Sequence, residues 1–452
     1  MPGSALDLRI DLAARLNQAR ARTDAFFALL AEPTLYERAI PERHRVVFYL
    51  GHLEAFDWNL IARDVCGRTP FDANLDSLFA FGIDPVDGQL PQDVPADWPA
   101  LPEIRAYVTR ARAAIDECLA GADVSADGPE GLARGHVFQI AIEHRLMHAE
   151  TLAYMLPHLP LEGFARRVWP DRQPGPVQPG YARTGGPGRV RRVGIAAGSA
   201  TLGLSRHAGV FGWDNEFDEH VVHVPAFSID ARNVTNGEFL EFVRAGGYRN
   251  GALWRPDDWE WKVRHEVQHP ALWRRRGADW WIRSSFAEIA LPRDWPVQVS
   301  LAEARAYARW RGRELPTEAQ FHRAAYGTRL GEERPFPWGD AHPDARIHGN
   351  FDFLRFDPSP VAAFPAGDSA FGVADLIGNG WEWTETPFAP FDGFDAFVHY
   401  PGYSANFFDG KHYVIKGASP QTDHVFLRRS FRNWFQPYYP YVFAAFRTVD
   451  GG

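Results

Sequence analysis

Two histidines four residues apart, His144 and His148, stand in the strongly helical run Glu143-His144-Arg145-Leu146-Met147-His148-Ala149-Glu150 of this 452-residue chain. Helical residues four apart lie one turn above each other on one face, so both imidazoles can converge on a single metal ion. A third histidine, His52, interrupts the apolar run Leu50-Gly51-His52-Leu53 upstream. Burying a protonated imidazole there would be costly, whereas a neutral one bound to metal is not. An all-imidazole set with no thiolate nearby suits oxygen chemistry better than a closed structural site, which wants four ligands and usually sulfur. Glu150 is placed to hold the second nitrogen of a ligating histidine and so fix its tautomer. The same spacing also suits polar core residues hydrogen-bonded to their neighbours. His136 and His44 lie two turns from His144 and His52, about 12 Å along the helix axis, too far to share an ion. A zinc hydrolase of the His-Glu-x-x-His type is excluded, because Arg145 occupies the glutamate position.

Four helices are expected to carry these residues. The first starts with Ser4 as N-cap and repeats apolar residues at Leu8, Leu12, Leu16, Phe26, Phe27 and Leu30. The second is expected from about Pro41 to Val65, with proline tolerated at its start. A Pro/Asp/Gly-rich connection follows from Cys66 to Pro99, long enough to line a site. The third repeats Ile104, Val108, Ala111, Ile115 and Leu119 and stops at Gly121, and the fourth, from about Pro129 to Leu156, carries the histidine pair. Four amphipathic helices make a bundle, and bundles build metal sites from facing helices. This bundle is assigned to residues 1–160, followed by a Pro/Gly-rich linker over 161–190. Residues 191–452 read as an irregular α+β domain, with helices near Leu301–Arg311 and Glu318–Tyr326 among short strands.

The apolar fraction of 45% and charged fraction of 23% are those of a soluble globular protein. A net charge of -9 argues against a nucleic-acid partner, since neutralising phosphates needs a basic surface. Only Cys66 and Cys118 are present, which speaks for a reducing cytoplasm over a disulfide scaffold. Asp7, Arg9, Asp11 and Arg15 interrupt any apolar signal segment at the N-terminus, and no stretch is long enough to span a membrane.

Several runs of the second half follow one another as in the formylglycine-generating-enzyme-like domain. They are Asp214-Asn215-Glu216, Phe227-Ser228-Ile229-Asp230, Val234-Thr235-Asn236-Gly237-Glu238-Phe239, Gly312-Arg313-Glu314-Leu315-Pro316-Thr317-Glu318, Gly378-Asn379-Gly380-Trp381-Glu382-Trp383 and Ala445-Phe446-Arg447. Formylglycine generation needs cysteines inside that domain, and both cysteines here precede it. With its N-terminal bundle the chain instead resembles the ergothioneine-biosynthesis sulfoxide synthases (EgtB type). These are non-heme iron enzymes that join a DinB-like four-helix bundle to a formylglycine-generating-enzyme-like, C-type-lectin-like domain. The resemblance implies Fe(2+) as cofactor, held by His52, His144 and His148. It implies hercynine, a thiol or other chalcogen donor and O2 as substrates, joined at the imidazole carbon of hercynine. It also implies Asn433 and Trp434 as residues that hold the quaternary ammonium, which needs aromatic faces or amide oxygens because it has no hydrogen to donate.

The chain departs from the family at the donor side. Where relatives that use γ-glutamylcysteine carry an acid and then basic residues after the Asn-Trp pair, this chain has Phe435 and Gln436-Pro437-Tyr438-Tyr439-Pro440-Tyr441. Such an aromatic, hydroxyl-rich wall suits a neutral or sugar-like donor better than a charged dipeptide. Met147 stands where the family often has glutamine, and Phe391 where it has its active-site tyrosine. Phenylalanine cannot donate a proton, so Tyr438, Tyr439, Tyr441, Tyr400 and Tyr403 become candidates for that role. With the run Tyr36-Glu37-Arg38-Ala39-Ile40-Pro41-Glu42-Arg43-His44-Arg45, these departures make the chain look most like the selenoneine synthase branch, which uses a selenosugar.

Overall fold

The structure, a computed structural model, describes residues 5–80, 90–166, 177–186 and 189–450. It divides into two compact units, Met1–Pro170 with Phe397–Pro401, and Asp171–Ala396 with Gly402–Gly452. The pentapeptide Phe397–Pro401 therefore belongs to the first unit despite its place far along the chain.

The first unit is helical, with α1 (Ala5–Phe27), α2 (Val46–Asp57), α3 (Ala73–Leu78), α4 (Leu101–Gly121) and α5 (His136–Met155). Helix α4 is amphipathic and buries Ile104, Ala111, Ile115 and Leu119 as its spacing predicts, whereas Val108 is only half-buried and Tyr107 takes the inward place beside it. Helices α2 and α5 are buried on nearly every side, including the charged residues Glu54, Asp57, Glu143, Arg145 and Glu150. A helix covered all round lies at the centre of its bundle, so its polar side chains must find partners there.

Two boundaries differ from the sequence expectation. The second helix begins at Val46, not Pro41, because the segment before it is spent on side-chain bonds. Arg38 Nη2 and Arg45 Nε both hold the Asp93 carboxylate (2.5 and 3.0 Å), and Arg45 Nη1 donates to the Tyr36 carbonyl at 2.8 Å. Past Asp57 the helix widens into a π-helix, Trp58–Val65, a local insertion that recurs at functional sites. The fourth long helix starts at His136, about two turns later than expected, because Arg134 and Gly135 both adopt left-handed backbone (φ 54° and 68°). A Cβ on Gly135 would meet Leu12 Cδ1 at 2.4 Å, so α1 crosses against bare backbone here. The proposed N-cap Ser4 lies outside the described residues.

The second unit is α+β. One sheet runs β1-β4-β13-β8, from Arg192–Ile195, Phe227–Asp230, Val449–Asp450 and Arg313–Glu314. Another runs β11-β10-β9-β12, from Asn433–Phe435, Tyr413–Ala418, Gly380–Pro387 and Ala444–Ala445. Strand β11 is antiparallel to β10, with Trp434 opposite Val414 and Asn433 opposite Ile415. A β2-β3 pair (Gly198–Leu202, His220–Val224) and a β5-β6-β7 sheet (Trp273–Arg276, Asp279–Arg283, Glu288–Ala290) complete the strands. A short α6 (Tyr181–Thr184) lies within the stretch read as linker. Two helices, α9 (Leu301–Trp310) and α10 (Glu318–Tyr326), fall where the sequence places them. Two more, α7 (Asn236–Arg244) and α8 (Pro256–Arg264), are additional to the helices expected from the sequence. The first of these carries a capping box that the sequence does display, Thr235 with Glu238. Among the described residues, no helix is long and apolar enough to cross a membrane.

Candidate metal centre

Helix α2 presents His52, and α5 presents His144 and His148, so that all three rings meet in the interior of the first unit. The Nε2 atom of His148 lies 3.3 Å from that of His52 and 3.1 Å from that of His144. His52 Nδ1 lies 2.7 Å from the carbonyl oxygen of Phe79, which can only accept, so Nδ1 carries the hydrogen and Nε2 bears a lone pair. Burial pushes the His52 imidazole down to about 4, and holds His144 and His148 well below the ordinary histidine range. The neighbouring histidines and the Arg145 charge add to the depression. With at most one hydrogen available at His148 Nε2, the nitrogens cannot satisfy one another, and protonation is costly. With the hydrogens of His144 and His148 on Nδ1, all three Nε2 lone pairs would face inward, and such a donor set fits a nitrogen-preferring divalent metal such as iron(II).

The outer contacts differ from expectation in one respect. The Nδ1 atoms of His144 and His148 are buried without a hydrogen-bond partner, so Glu150 does not fix either tautomer through them. Ring packing orients these imidazoles instead. Phe56 stacks on His144 with centroids 3.5 Å apart, and Phe48 stacks on His52 at 4.7 Å. Tyr400, brought into this unit by the Phe397–Pro401 segment, stands edge-on to Phe56 at 5.1 Å and to His144 at 6.2 Å. His136 packs on Phe397 at 4.6 Å and His44 on Phe48 at 4.1 Å; neither joins the cluster.

A buried charge network fixes the helices that carry the three histidines. Arg145, fully buried and adjacent to His144, reaches Glu54 Oε2 at 2.8 Å, Asp57 Oδ2 at 2.7 Å and the Leu53 carbonyl at 3.1 Å. Arg112 of α4 also holds Glu54 at 2.8 Å and clamps Asp24 of α1 through both terminal nitrogens. Residues that follow one histidine on α5 and another on α2 are thus tied together, which sets the relative height of the two helices. Burial pushes Asp57 up to about 6 against the pull of Arg145. Sequence reasoning took Arg145 only as a displaced glutamate. Its role was hidden because Glu54 and Asp57, its partners, look like the polar edge of an amphipathic helix.

Gly51 makes the Phe79 contact possible, since a Cβ there would come within 2.4–2.5 Å of the Phe79 ring. Gly51→Ala is expected to push Phe79, and with it the carbonyl that orients His52, out of place. A cost of about 1–3 kcal/mol from overpacking, with weaker metal retention, is the expected result in thermal denaturation and metal titration. Unchanged values of both would show that Phe79 has no such role.

The depressed imidazoles also give the metal-free protein a pH dependence. Their folded values lie below the unfolded 6.5, so the unfolded chain binds more protons between about pH 6.5 and 4, and stability must fall as pH falls through that window. Each histidine contributes at most about 1.4 kcal/mol per pH unit. Asp57, raised in the folded state, pulls the other way, as do Asp76 and Asp375, whereas the lowered His136 and His322 add to the slope of the three clustered histidines. Denaturation curves of the metal-free protein at several pH values read this slope; a flat profile from pH 6.5 to 4.5 would contradict the neutral, buried cluster.

The remaining sequence candidates lie chiefly in the second unit. Trp434, half-buried on β11, stacks on Phe388 at 4.0 Å, with Tyr403 edge-on at 5.4 Å and Phe407 at 5.5 Å. Asn433 Oδ1 accepts from the Trp434 amide at 2.9 Å. Phe435 stacks on Tyr439 at 5.3 Å, Tyr439 meets Tyr441 at 4.9 Å, and Tyr438 stacks on Trp261 at 5.3 Å. Phe391 lies under the Arg432 guanidinium at 4.0 Å and against His220 at 4.4 Å. Met147 belongs to the first unit, half-buried on α5 between the two histidines. Of the tyrosines weighed as proton donors, Tyr400 is the one that accompanies the histidines in the first unit.

Comparison with known proteins agrees with this two-part organisation. The DinB superfamily matches residues 15–152, and the sulfatase-modifying factor enzyme 1-like domain matches residues 188–451. A "Hercynine oxygenase" of Mycolicibacterium thermoresistibile is 32% identical over 99% of this chain and 96% of its own length. A "Hercynine oxygenase" of Mycobacterium tuberculosis is 41% identical over 52% of this chain and 55% of its own. "Ergothioneine biosynthesis protein 1" of Neurospora crassa is 26% identical over 93% of this chain, which spans about half (55%) of that protein. With both domains matched and a relative aligned end to end, the chain belongs to the ergothioneine-biosynthesis sulfoxide synthase family, a DinB-superfamily bundle joined to a sulfatase-modifying-factor domain.

Proposed function

We propose that this protein is a non-heme iron(II), O2-dependent enzyme that forms a carbon–selenium bond at the imidazole carbon of hercynine, with a selenosugar as donor. The observation that carries the reading is the convergence of three neutral Nε2 atoms in a bundle whose relatives are named for hercynine chemistry. Iron(II) held by three imidazoles would keep three positions for dioxygen, a soft chalcogen donor and the hercynine ring, and would supply the redox chemistry that joins them.

The chain's own residues have separate tasks. His52, His144 and His148 hold the metal, and Phe48, Phe56 and Tyr400 wall the cluster with rings that limit water. Tyr400 brings a phenol, the hydrogen-bond donor that Phe391 lacks, to the His144 side. Trp434 and Asn433 offer an aromatic face and an amide oxygen suited to a trimethylammonium group. Phe435, Tyr439 and Tyr441 form a stacked set of rings and hydroxyls, whereas a carboxylate-bearing donor calls for arginine or lysine; this supports a neutral sugar-like donor.

The names of the relatives favour a second reading, a sulfoxide synthase using cysteine or γ-glutamylcysteine. Competition decides between them. Hercynine and oxygen are supplied with γ-glutamylcysteine, cysteine, a thiosugar and a selenosugar together, and the products are identified by mass. A selenium-containing product should dominate; preferential use of γ-glutamylcysteine would overturn the selenosugar assignment while leaving the iron site intact.

A further inference from the structure

The chain has two cysteines, and the fold brings them together. Cys66 closes the π-helix that continues α2, its amide bonded to the Arg63 and Ile61 carbonyls. Cys118 lies in the last turn of α4, buried with 6% exposure, whereas Cys66 is partly open to solvent. The Cys118 thiol is among the groups that act on the Cys66 thiol, so the two sulfurs are neighbours. An ion pair beside them, Arg68 Nη1 to Glu117 Oε2 at 2.9 Å, ties the chain just after Cys66 to the residue just before Cys118. The Arg68 guanidinium also faces the Cys118 sulfur.

A free cysteine pair is a common place for a chain to leave two small apolar side chains, and burial alone explains one of them. It does not explain why the only two in 452 residues meet thiol to thiol, with a cation beside the more buried sulfur and solvent access beside the other. The Arg68–Glu117 ion pair holds the two cysteine-bearing segments against each other, which favours bond formation between their sulfurs.

The geometry points to a redox modification site: Cys66 and Cys118 form an intrachain disulfide when the protein meets a two-electron oxidant such as hydrogen peroxide. Two S–H bonds break and one S–S bond forms. The two electrons and two protons reduce one peroxide to two waters. Burial and the Cys118 neighbour push the Cys66 thiol up to about 12, so in the resting protein this thiol stays protonated and its reaction with peroxide is slow. The bond would staple the end of the π-helix that follows the His52 helix to α4. This inference does not depend on the proposed reaction.

The test uses the full-length protein, treated with a small excess of peroxide, quenched, unfolded without reductant and alkylated with iodoacetamide. Alkylatable thiols should fall from two to none, the intact mass should drop by about 2 Da before alkylation, and a tryptic peptide joining Cys66 to Cys118 should appear and vanish with reductant. Cys118→Ser should give no joined peptide, while Arg68→Ala, which leaves both cysteines in place, should slow its formation several-fold. Two thiols still alkylated after peroxide, or oxidation of Cys66 to sulfinic acid with Cys118 still free, would overturn the assignment.

Discussion

Replacing His144 with alanine should abolish both metal retention and turnover while leaving the bundle folded. His144 Nε2 lies 3.1 Å from His148 Nε2, which in turn lies 3.3 Å from His52 Nε2, and among the described residues no fourth His, Cys, Asp or Glu joins this group to take its place. Outer contacts of a metal site are worth about 10–100-fold in affinity, so loss of a ligand from a three-ligand set should exceed that range. The neutral imidazole contributes no charge to the network around Arg145, and the metal-free variant should keep its helical content. Iron is counted per chain after anaerobic reconstitution, and product is measured in parallel. A variant that holds iron as well as the parent protein would end the metal-centre reading. A variant that loses iron but keeps activity would end the iron-dependent one.

Arg145→Met should be the most destabilising single change in the first unit. It leaves Glu54 and Asp57 buried at 1% and 0% exposure without the cation they share, and breaking a buried ion pair in this way costs about 3–5 kcal/mol. At the size of the first unit this corresponds to a fall in melting temperature on the order of 10 °C. Arg112 still reaches Glu54, so Asp57 is the carboxylate left worse off, and adding Asp57→Asn to Arg145→Met should recover part of the loss. The two units are expected to melt separately if the loss is confined to the first, which calorimetry resolves. A melting profile unchanged from the parent protein would mean the network is not what holds α2 and α5 in register.

The histidine pair was legible in the sequence because four-residue spacing is local geometry that any helix enforces, and His52 because a polar residue in an apolar helix run needs a reason. Phe79 was not, since the group that matters is its carbonyl, and a backbone carbonyl has no signature in residue type. Tyr400 stood among five tyrosines that sequence alone could not rank, because only the chain path of Phe397–Pro401 decides which of them lies beside His144. The start of α2 was misplaced for a related reason. Pro41 looks like a first helical residue until Arg38 and Arg45 are seen to share Asp93 across a long connection. In the second unit α9 and α10 carried their own caps and periods, whereas α8, rich in tryptophan and charge, has no clean apolar stripe.

The membership of Phe397–Pro401 in the first unit bears on whether the two halves can be inherited or expressed apart. A fragment ending near residue 170 would contain every histidine of the cluster yet lack Tyr400 beside Phe56 and Phe397 beside His136. Such a fragment would hold the three histidines in a bundle with part of their wall missing, open to solvent. The histidine-bearing unit is therefore not a portable module, and a gene fusion that swapped everything after residue 170 would alter the walls of the histidine cluster.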